Sequence, residues 1–273
     1  MNPSRPARFE VLRNSGPIAM AHRGGAGPFP ENTLEAFESS AALGYRYLET
    51  DVHLTRDGVL VAFHDDRLDR VTDCIGLIAE LTWPEVSVAR VNGTTPIPTM
   101  KELLERFPSH RFNIDPKSDA TVRPLAEMLL IDESVERVCI GAFSDERLAA
   151  MRKLCGRRLC TSMGPRQIAR LVAAARLGSG AAARAAAGYR RGHPIAAGVV
   201  QVPVRHQRTE IVTPRFVELC HACELQVHVW TINERSEMIR LLDLGVDGLI
   251  TDEPAVLRDL LVERGEWTDF EPA

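Results

Sequence analysis

The 273-residue sequence has no excess of basic residues: 33 Lys and Arg stand against 37 Asp and Glu, for a net charge of −4. That balance offers no electrostatic footprint for nucleic acid or an anionic membrane. No stretch approaches the roughly 18 consecutive apolar residues that a membrane span requires. The N-terminal MNPSRPARFEVLRNSG has no apolar core, so neither stable membrane insertion nor export by a cleaved signal is expected. Cysteine is sparse and scattered, at positions 74, 139, 155, 160, 220 and 223, which excludes a small disulfide scaffold and suits a reduced, cytoplasmic protein. Cys220 and Cys223 form a lone CxxC within a helical pattern, with no second pair to complete a zinc site. The Ala- and Arg-rich run from Ala173 to Arg191 carries no nameable chemistry and reads as a surface helix or lid. No repeat is visible beyond a strand-helix period.

That period is the main structural signal. PIAMAH reads as a strand, and the Gly- and Pro-rich loop after it leads to a helix in which Asn32 is placed as N-cap and Glu35 at the capping-box position. Strands HRFNIDPK, RVCIGAF, RRLCTSM, AGVVQVPV, LQVHVWT and DGLITD then alternate with helical patterns. Eight strand-helix units, with strands apolar enough to be buried on both faces, predict a single-domain (β/α)8 TIM barrel. An open doubly wound sheet is the alternative, since periodicity does not show closure.

The richest stretch is YLETDVHLTRDGVLVAFHD, residues 47 to 65. Alternation puts Glu49, Asp51, His53 and Thr55 on one face and Leu48, Val52 and Leu54 on the other. Asp57-Gly58 reads as a two-residue hairpin turn, which pairs Arg56 with Val59 and sets His64 opposite Asp51. Two carboxylates and an imidazole then share one solvent-facing patch, an arrangement suited to a divalent cation beside a general acid or base. The plain alternative is a hydrated acidic strand face.

Active sites of such barrels form at the C-terminal ends of the strands. Those ends carry His22-Arg23, Glu49 with Asp51, Asp115 with Lys117, Gln201, Trp230 and Asp252. Three acids from two neighbouring strands, Glu49, Asp51 and Asp115, offer hard oxygen donors that suit magnesium or calcium better than zinc. Arg23, Lys117 and the cation would neutralise phosphodiester oxygens, while one of His22 and His64 takes a proton and the other gives one.

HRGGAGPFPENTLEAF, ETDVHLTRDGVLVAFHDDRLDRVTD, NIDPK, VWTIN and GVDGLITDEP resemble, in order and spacing, the signature segments of glycerophosphodiester phosphodiesterases, from about Ile18 to Pro254. The resemblance implies a (β/α)8 barrel with a small insertion after the second strand, about residues 52–98. It also implies hydrolysis of a small-molecule glycerophosphodiester to glycerol 3-phosphate and an alcohol with one divalent cation. His22 and His64 become the acid-base pair, Arg23 a phosphate ligand, Glu49 and Asp51 metal ligands, and Trp230 an aromatic wall. Asp115 falls where the family more often has glutamate, and its shorter side chain would pull the cation toward the third strand or leave room for a water. Lys117 is the phosphate-side lysine, and Glu31 and Asn32 are rim and helix-cap residues. Secreted phospholipase D toxins have a similar barrel but are disulfide-bonded and lack the PENT segment. Two further readings stand beside hydrolysis of soluble diesters. One is a lysophospholipase D on single-chain lipids, with an apolar groove that Cys74 to Val91 could line, although that segment reads first as the insertion's own small core, and the other is a barrel that binds phosphate esters without cleaving them.

Overall fold

A computed structural model describes residues 8–27, 29–177 and 195–270. The Ala- and Arg-rich run beyond residue 177 lies outside them. The strands are β1 (Ile18–Ala21), β2 (Tyr47–Leu54), β3 (Leu60–Ala62), β4 (Arg90–Val91), β5 (Thr95–Pro96), β6 (Arg111–Pro116), β7 (Val138–Ile140), β8 (Cys160–Thr161), β9 (Val199–Pro203), β10 (Arg205–His206), β11 (Thr209–Glu210), β12 (Gln226–Trp230) and β13 (Gly248–Thr251). Eight of them are parallel neighbours in the order β8-β7-β6-β2-β1-β13-β12-β9. A bridge between Ser162 and Val199, with the Gly198 N–H on the Thr161 carbonyl, brings the two ends together. The sheet is therefore a nearly closed barrel, and the doubly wound alternative falls.

Period-2 alternation explains where each side chain goes. Outward residues such as Ala19, Leu48, Val52, Phe112, Ile114, Val227 and Val229 join the large core between barrel and helices. Inward residues at the barrel floor, Ile18, Met20, Tyr47, Cys139, Cys160 and Val199, form a second core plugged by Phe9, Val11 and Leu12. Buried Arg111 ties that plug down through the carbonyls of Val11 and Arg13 and the hydroxyl of Tyr47. Continued upward, the inward positions become Glu49 and Asp51 on β2, Asn113 and Asp115 on β6, and Trp230 on β12.

Between β2 and the helix Met100–Arg106, the chain forms β3, the helix Trp83–Ser87 and the β4–β5 hairpin. Val61, Phe63, Leu68, Ile78, Val86, Ala89, Val91 and Ile97 give this segment a small core of its own. The hairpin register differs from the expected one by a residue. Val52 pairs Ala62, His53 pairs Val61 and Leu54 pairs Leu60, so Asp51 stands opposite Phe63 and not His64. The turn spans three residues: Thr55 accepts from Gly58 N–H and donates its own N–H to Val59, with Gly58 at φ +89°. This is a type I turn closed by a bulge, with the Asp57 carboxylate accepting from the Thr55 hydroxyl and the Trp83 N–H. The acidic face is also buried inside the barrel mouth, with Glu49 5% and Asp51 3% exposed. A strand read in isolation has a wet face that closure removes.

Asn32 is likewise not the helix cap. Thr33 caps the helix Leu34–Ala42 by accepting from Ala36 N–H, and Asn32 sits at φ +56° with its side chain on Thr50 and Asp51.

His228, inward on β12, is sealed in the barrel with one ring nitrogen 3.0 Å from the Gln226 amide oxygen and the other unpartnered. Burial pushes its imidazole down to about 4. An unfolded chain takes up this proton near pH 6.5, so the group withdraws stability as pH falls from about 6.5 to 4, by about 2–3 kcal/mol at pH 4.5. Urea midpoints at pH 7 and 4.5 should therefore differ less for His228→Gln than for the parent. The paired comparison isolates His228 from Glu49, which burial raises to about 7 and which acts in the opposite direction. An unchanged difference between the two pH values would exclude this account.

Candidate active site

His22 and Arg23 leave β1 in a tight turn that two glycines make possible. Gly25 has φ +86°, and a Cβ there would lie 2.6 Å from Ser40 Oγ and 2.8 Å from Pro254 Cγ. Arg23 itself is at φ +50°, a conformation costing on the order of 1 kcal/mol that its surroundings hold in place. Its N–H donates to Glu49 Oε2 at 2.9 Å and its carbonyl accepts from Asn32 N–H at 2.8 Å. The turn thereby aims His22 and the Arg23 guanidinium into the barrel mouth.

Parallel pairing of β2 with β6 sets Glu49 beside Asn113 and Asp51 beside Asp115. Adjacent strands lie about 4.8 Å apart, so two like charges are forced together unless a cation intervenes. Here Lys117 Nζ lies 2.7 Å from Asp51 Oδ1 and 3.0 Å from Asp115 Oδ2. Arg23 Nε is 3.5 Å from Asp51 Oδ2, and its Nη1 reaches Glu31 at 3.0 Å. Burial, with Asp51 close by, raises the Glu49 carboxyl to about 7 even though His22 and the Arg23 N–H favour its charge. Burial likewise raises Asp115. For Lys117, burial opposes the charge, but Asp51 and Asp115 outweigh it and hold the ammonium.

Each candidate histidine has a carboxylate behind it. His22 Nδ1 is 2.7 Å from Asp252 Oδ1, and Asp252 is held in turn by the Asn233 amide at 3.0 Å. Burial alone would lower the His22 pKa; Glu49 and the hydrogen bond to Asp252 reverse that and raise it. His64 Nδ1 is 2.6 Å from Asp65 Oδ1, and the His64 carbonyl faces His53 Nε2 at 3.1 Å. Arg70 clamps Asp65 at 2.5 Å and Glu31 at 2.6 Å, and its hydrogen bond, before that of His64, holds the Asp65 carboxyl down at about 2. Both imidazoles thus have Nδ1 engaged and Nε2 left for chemistry.

A cavity of about 590 Å³ opens at this mouth. His22, Arg23, Glu49, Asp51, His64, Asp115, Lys117 and Trp230 all line it, so the structure brings every candidate residue to one place. Asp65, the Asp252 pairing, the Asn32 bridge and the Gln201–Asn113 hydrogen bond (2.8 Å) had no role in the sequence reading. For Asp252 a signal existed: it continues the inward alternation of Gly248 and Ile250. No residue from Cys74 to Val91 lines the cavity: Ile78, Val86, Ala89 and Val91 are used in the segment's own core, while Ile75 and Val88 lie exposed on the surface. The apolar lining comes from the opposite wall.

Among the described residues, no three His, Cys, Asp or Glu side chains already form a cation cage. The donor set nonetheless suits a hard divalent ion. Asp115 Oδ1 is buried without a partner, and the carboxylates already gather around a positive charge, that of Lys117. Among the described residues no helix is long and apolar enough to cross a membrane.

The model of the "Glycerophosphoryl diester phosphodiesterase family" matches residues 22–256. A Mycobacterium tuberculosis protein named "Probable glycerophosphodiester phosphodiesterase 2" is 40% identical over 94% of this chain and 96% of its own. A solved structure from Silicibacter pomeroyi superposes with a TM-score of 0.78 at 24% identity, covering 95% of this chain and 100% of that one. An Oleispira antarctica phosphodiesterase, solved in complex with the product sn-glycerol-3-phosphate, matches with a TM-score of 0.72 at 21% identity, over 90% of this chain and 97% of its own.

Proposed function

The chain belongs to the glycerophosphoryl diester phosphodiesterase family and is a phosphoric diester hydrolase, and on that premise we propose that His22 and His64 are its acid-base pair. The observation that carries this reading is the pair of carboxylate-backed imidazoles, His22–Asp252 and His64–Asp65, facing one cavity with Arg23 and Lys117. Arg23 and Lys117 bind the non-bridging phosphoryl oxygens, where charge grows in the transition state. His22, whose protonated form Glu49 and Asp252 favour against burial, donates a proton to the departing alkoxide. His64 accepts the proton of the attacking hydroxyl through Nε2, its tautomer set by Asp65. Trp230 walls one arm of the substrate. Glu49, Asp51 and Asp115 would hold one divalent cation, magnesium or calcium. Bound there, the cation adds positive charge beside the phosphoryl oxygens.

The substrate is a small glycerophosphodiester such as glycerophosphocholine, cleaved to glycerol 3-phosphate and an alcohol in the cytoplasm. Release of glycerol 3-phosphate from glycerophosphocholine, with magnesium or calcium supplied, tests the reading. Binding of the diester without cleavage at any concentration of either metal would replace it with a non-catalytic barrel.

Asp252→Asn is expected to lower kcat by about 10²-fold with little change in KM, since the His22 ring loses the partner that orients its proton. A loss confined to KM would assign Asp252 to binding instead.

A further inference from the structure

Arg70 does not line the cavity, yet both edges of its guanidinium lead there. It closes the short turn Leu68–Arg70, which Leu68, fully buried in the small core of the insertion, pins in place. Its neighbours Arg67 and Asp69 are paired with each other at 3.2 Å, so neither competes for the groups that Arg70 holds. Arg70 Nε lies 2.5 Å from Asp65 Oδ2, and Nη2 lies 3.1 Å from Asp65 Oδ1. The same Nη2 lies 2.6 Å from Oε1 of Glu31, a residue of the loop after β1 and 39 positions away. Two carboxylates thus share one planar fork. Each also has a second partner, and those partners do line the cavity: Asp65 holds His64 Nδ1 at 2.6 Å, and Glu31 Oε1 accepts from Arg23 Nη1 at 3.0 Å.

From Asp65 through Arg70 and Glu31 to Arg23 the charges alternate, so each contact holds the next. Neither carboxylate is buried enough to stay in place unaided. The side chains of Asp65 and Glu31 are 24% and 18% exposed, and water competes for both. An Asp65 released to water would leave the His64 ring free to carry its proton on either nitrogen. An Arg23 released from Glu31 would be free to turn onto Asp51, 3.5 Å from its Nε. As a prop for the fold the network counts for little, because the Arg70 side chain is 48% exposed and ion pairs open to water contribute little stability. Its place between two functional side chains, one leaving β3 and the other leaving β1, is what sets it apart from the surface pairs.

Resting on the acid-base reading, we propose that Arg70 is a positioning residue that sets the general base and a phosphate ligand together, fixing His64 through Asp65 and the Arg23 guanidinium through Glu31. A guanidinium suits this place because its donors point in fixed directions and serve two carboxylates at once, whereas an ammonium is a single point of charge.

Steady-state kinetics on glycerophosphocholine test the bridge. Asp65→Asn is expected to act mainly on kcat, Glu31→Gln mainly on KM, and Arg70→Met on both, with kcat lowered by about tenfold. The double variants are decisive. In the Asp65→Asn background Arg70→Met should change kcat by less than about twofold, and in the Glu31→Gln background it should change KM by less than about twofold, since the route to each constant is already cut. Multiplicative losses in either background would overturn the bridge. Arg70→Lys keeps the charge but ends in one nitrogen, so it should recover at most one of the two constants, and recovery of both would overturn the bridge in favour of charge alone. The Arg70→Met urea midpoint should stay close to the parent's, and activity lost only in proportion to folded protein would also overturn it. Parent constants in Arg70→Met, with His64→Ala inactive, would remove this inference and leave the hydrolase reading intact. Full activity of His64→Ala would remove the acid-base reading and this inference together.

Discussion

His22→Ala is expected to reduce kcat for glycerophosphocholine by about 10²–10⁴-fold, the range that a positioned acid or base supplies. The loss should shrink on a diester whose leaving group is p-nitrophenol. A phenolate of low basicity departs without a donated proton, so removing the donor matters less. His64→Ala should lose comparable activity on both substrates, because the attacking hydroxyl must give up its proton in either case. The roles follow from what surrounds each ring. His22 lies 2.7 Å from Asp252 and 3.9 Å from Glu49, two carboxylates that favour the imidazolium despite burial. His64 has one carboxylate, Asp65, which Arg70 has already claimed. Equal losses for His22→Ala on the two substrates would reverse or abolish the assignment. Both single variants should keep the parent circular dichroism spectrum, since neither ring packs in the apolar core.

Chelation of divalent cations is expected to lower turnover by at least about 10²-fold, with recovery on adding back magnesium or calcium. Direct binding should be visible by calorimetry and should be weakened more by Asp51→Asn than by Asp115→Asn. Asp51 is pinned by Asn32, Arg23 and Lys117 and cannot retreat, whereas Asp115 Oδ1 is buried without a hydrogen-bond partner to hold it in place. Lys117 provides an independent readout. Its ammonium stands between Asp51 and Asp115, so Lys117→Met should tighten cation binding by about tenfold through removal of a like charge, while turnover falls because the phosphate loses a partner. A chelator without effect on turnover, together with no binding heat for either metal, would leave the carboxylates as a purely structural set neutralised by Lys117.

How far the residues announced this arrangement depends on the range of the interaction. Strand alternation depends only on neighbouring residues, so the inward run Tyr47, Glu49, Asp51 and its counterpart Arg111, Asn113, Asp115 could be read directly. The hairpin was legible in place but not in register. Asp-Gly signals both a two-residue turn and a three-residue turn with a bulge, and the choice was made by the contact of Asp57 with Trp83, 26 positions away. The capping box at Asn32 misled for a similar reason: Thr33 was free to cap the helix, and the Asn32 amide was drawn to Thr50 and Asp51 on the next strand.

By itself, the sequence determined the strand-helix order and the residues that stand at the strand ends, because local periodicity suffices for those, while closure of the eight strands into a barrel was left to the structure. Tertiary structure decided that the acidic face is buried, that Asp252 and Asp65 stand behind the two histidines, and that Lys117 sits between Asp51 and Asp115. It also decided that the apolar wall comes from Phe143 and the helix Pro165–Leu177, not from residues 74–91. The His22–Asp252 and Lys117–Asp51 contacts join side chains far apart in the chain, and no local pattern encodes that distance; His64 and Asp65 are neighbours, but only the fold turns both to the cavity mouth, with Arg70 clamping Asp65.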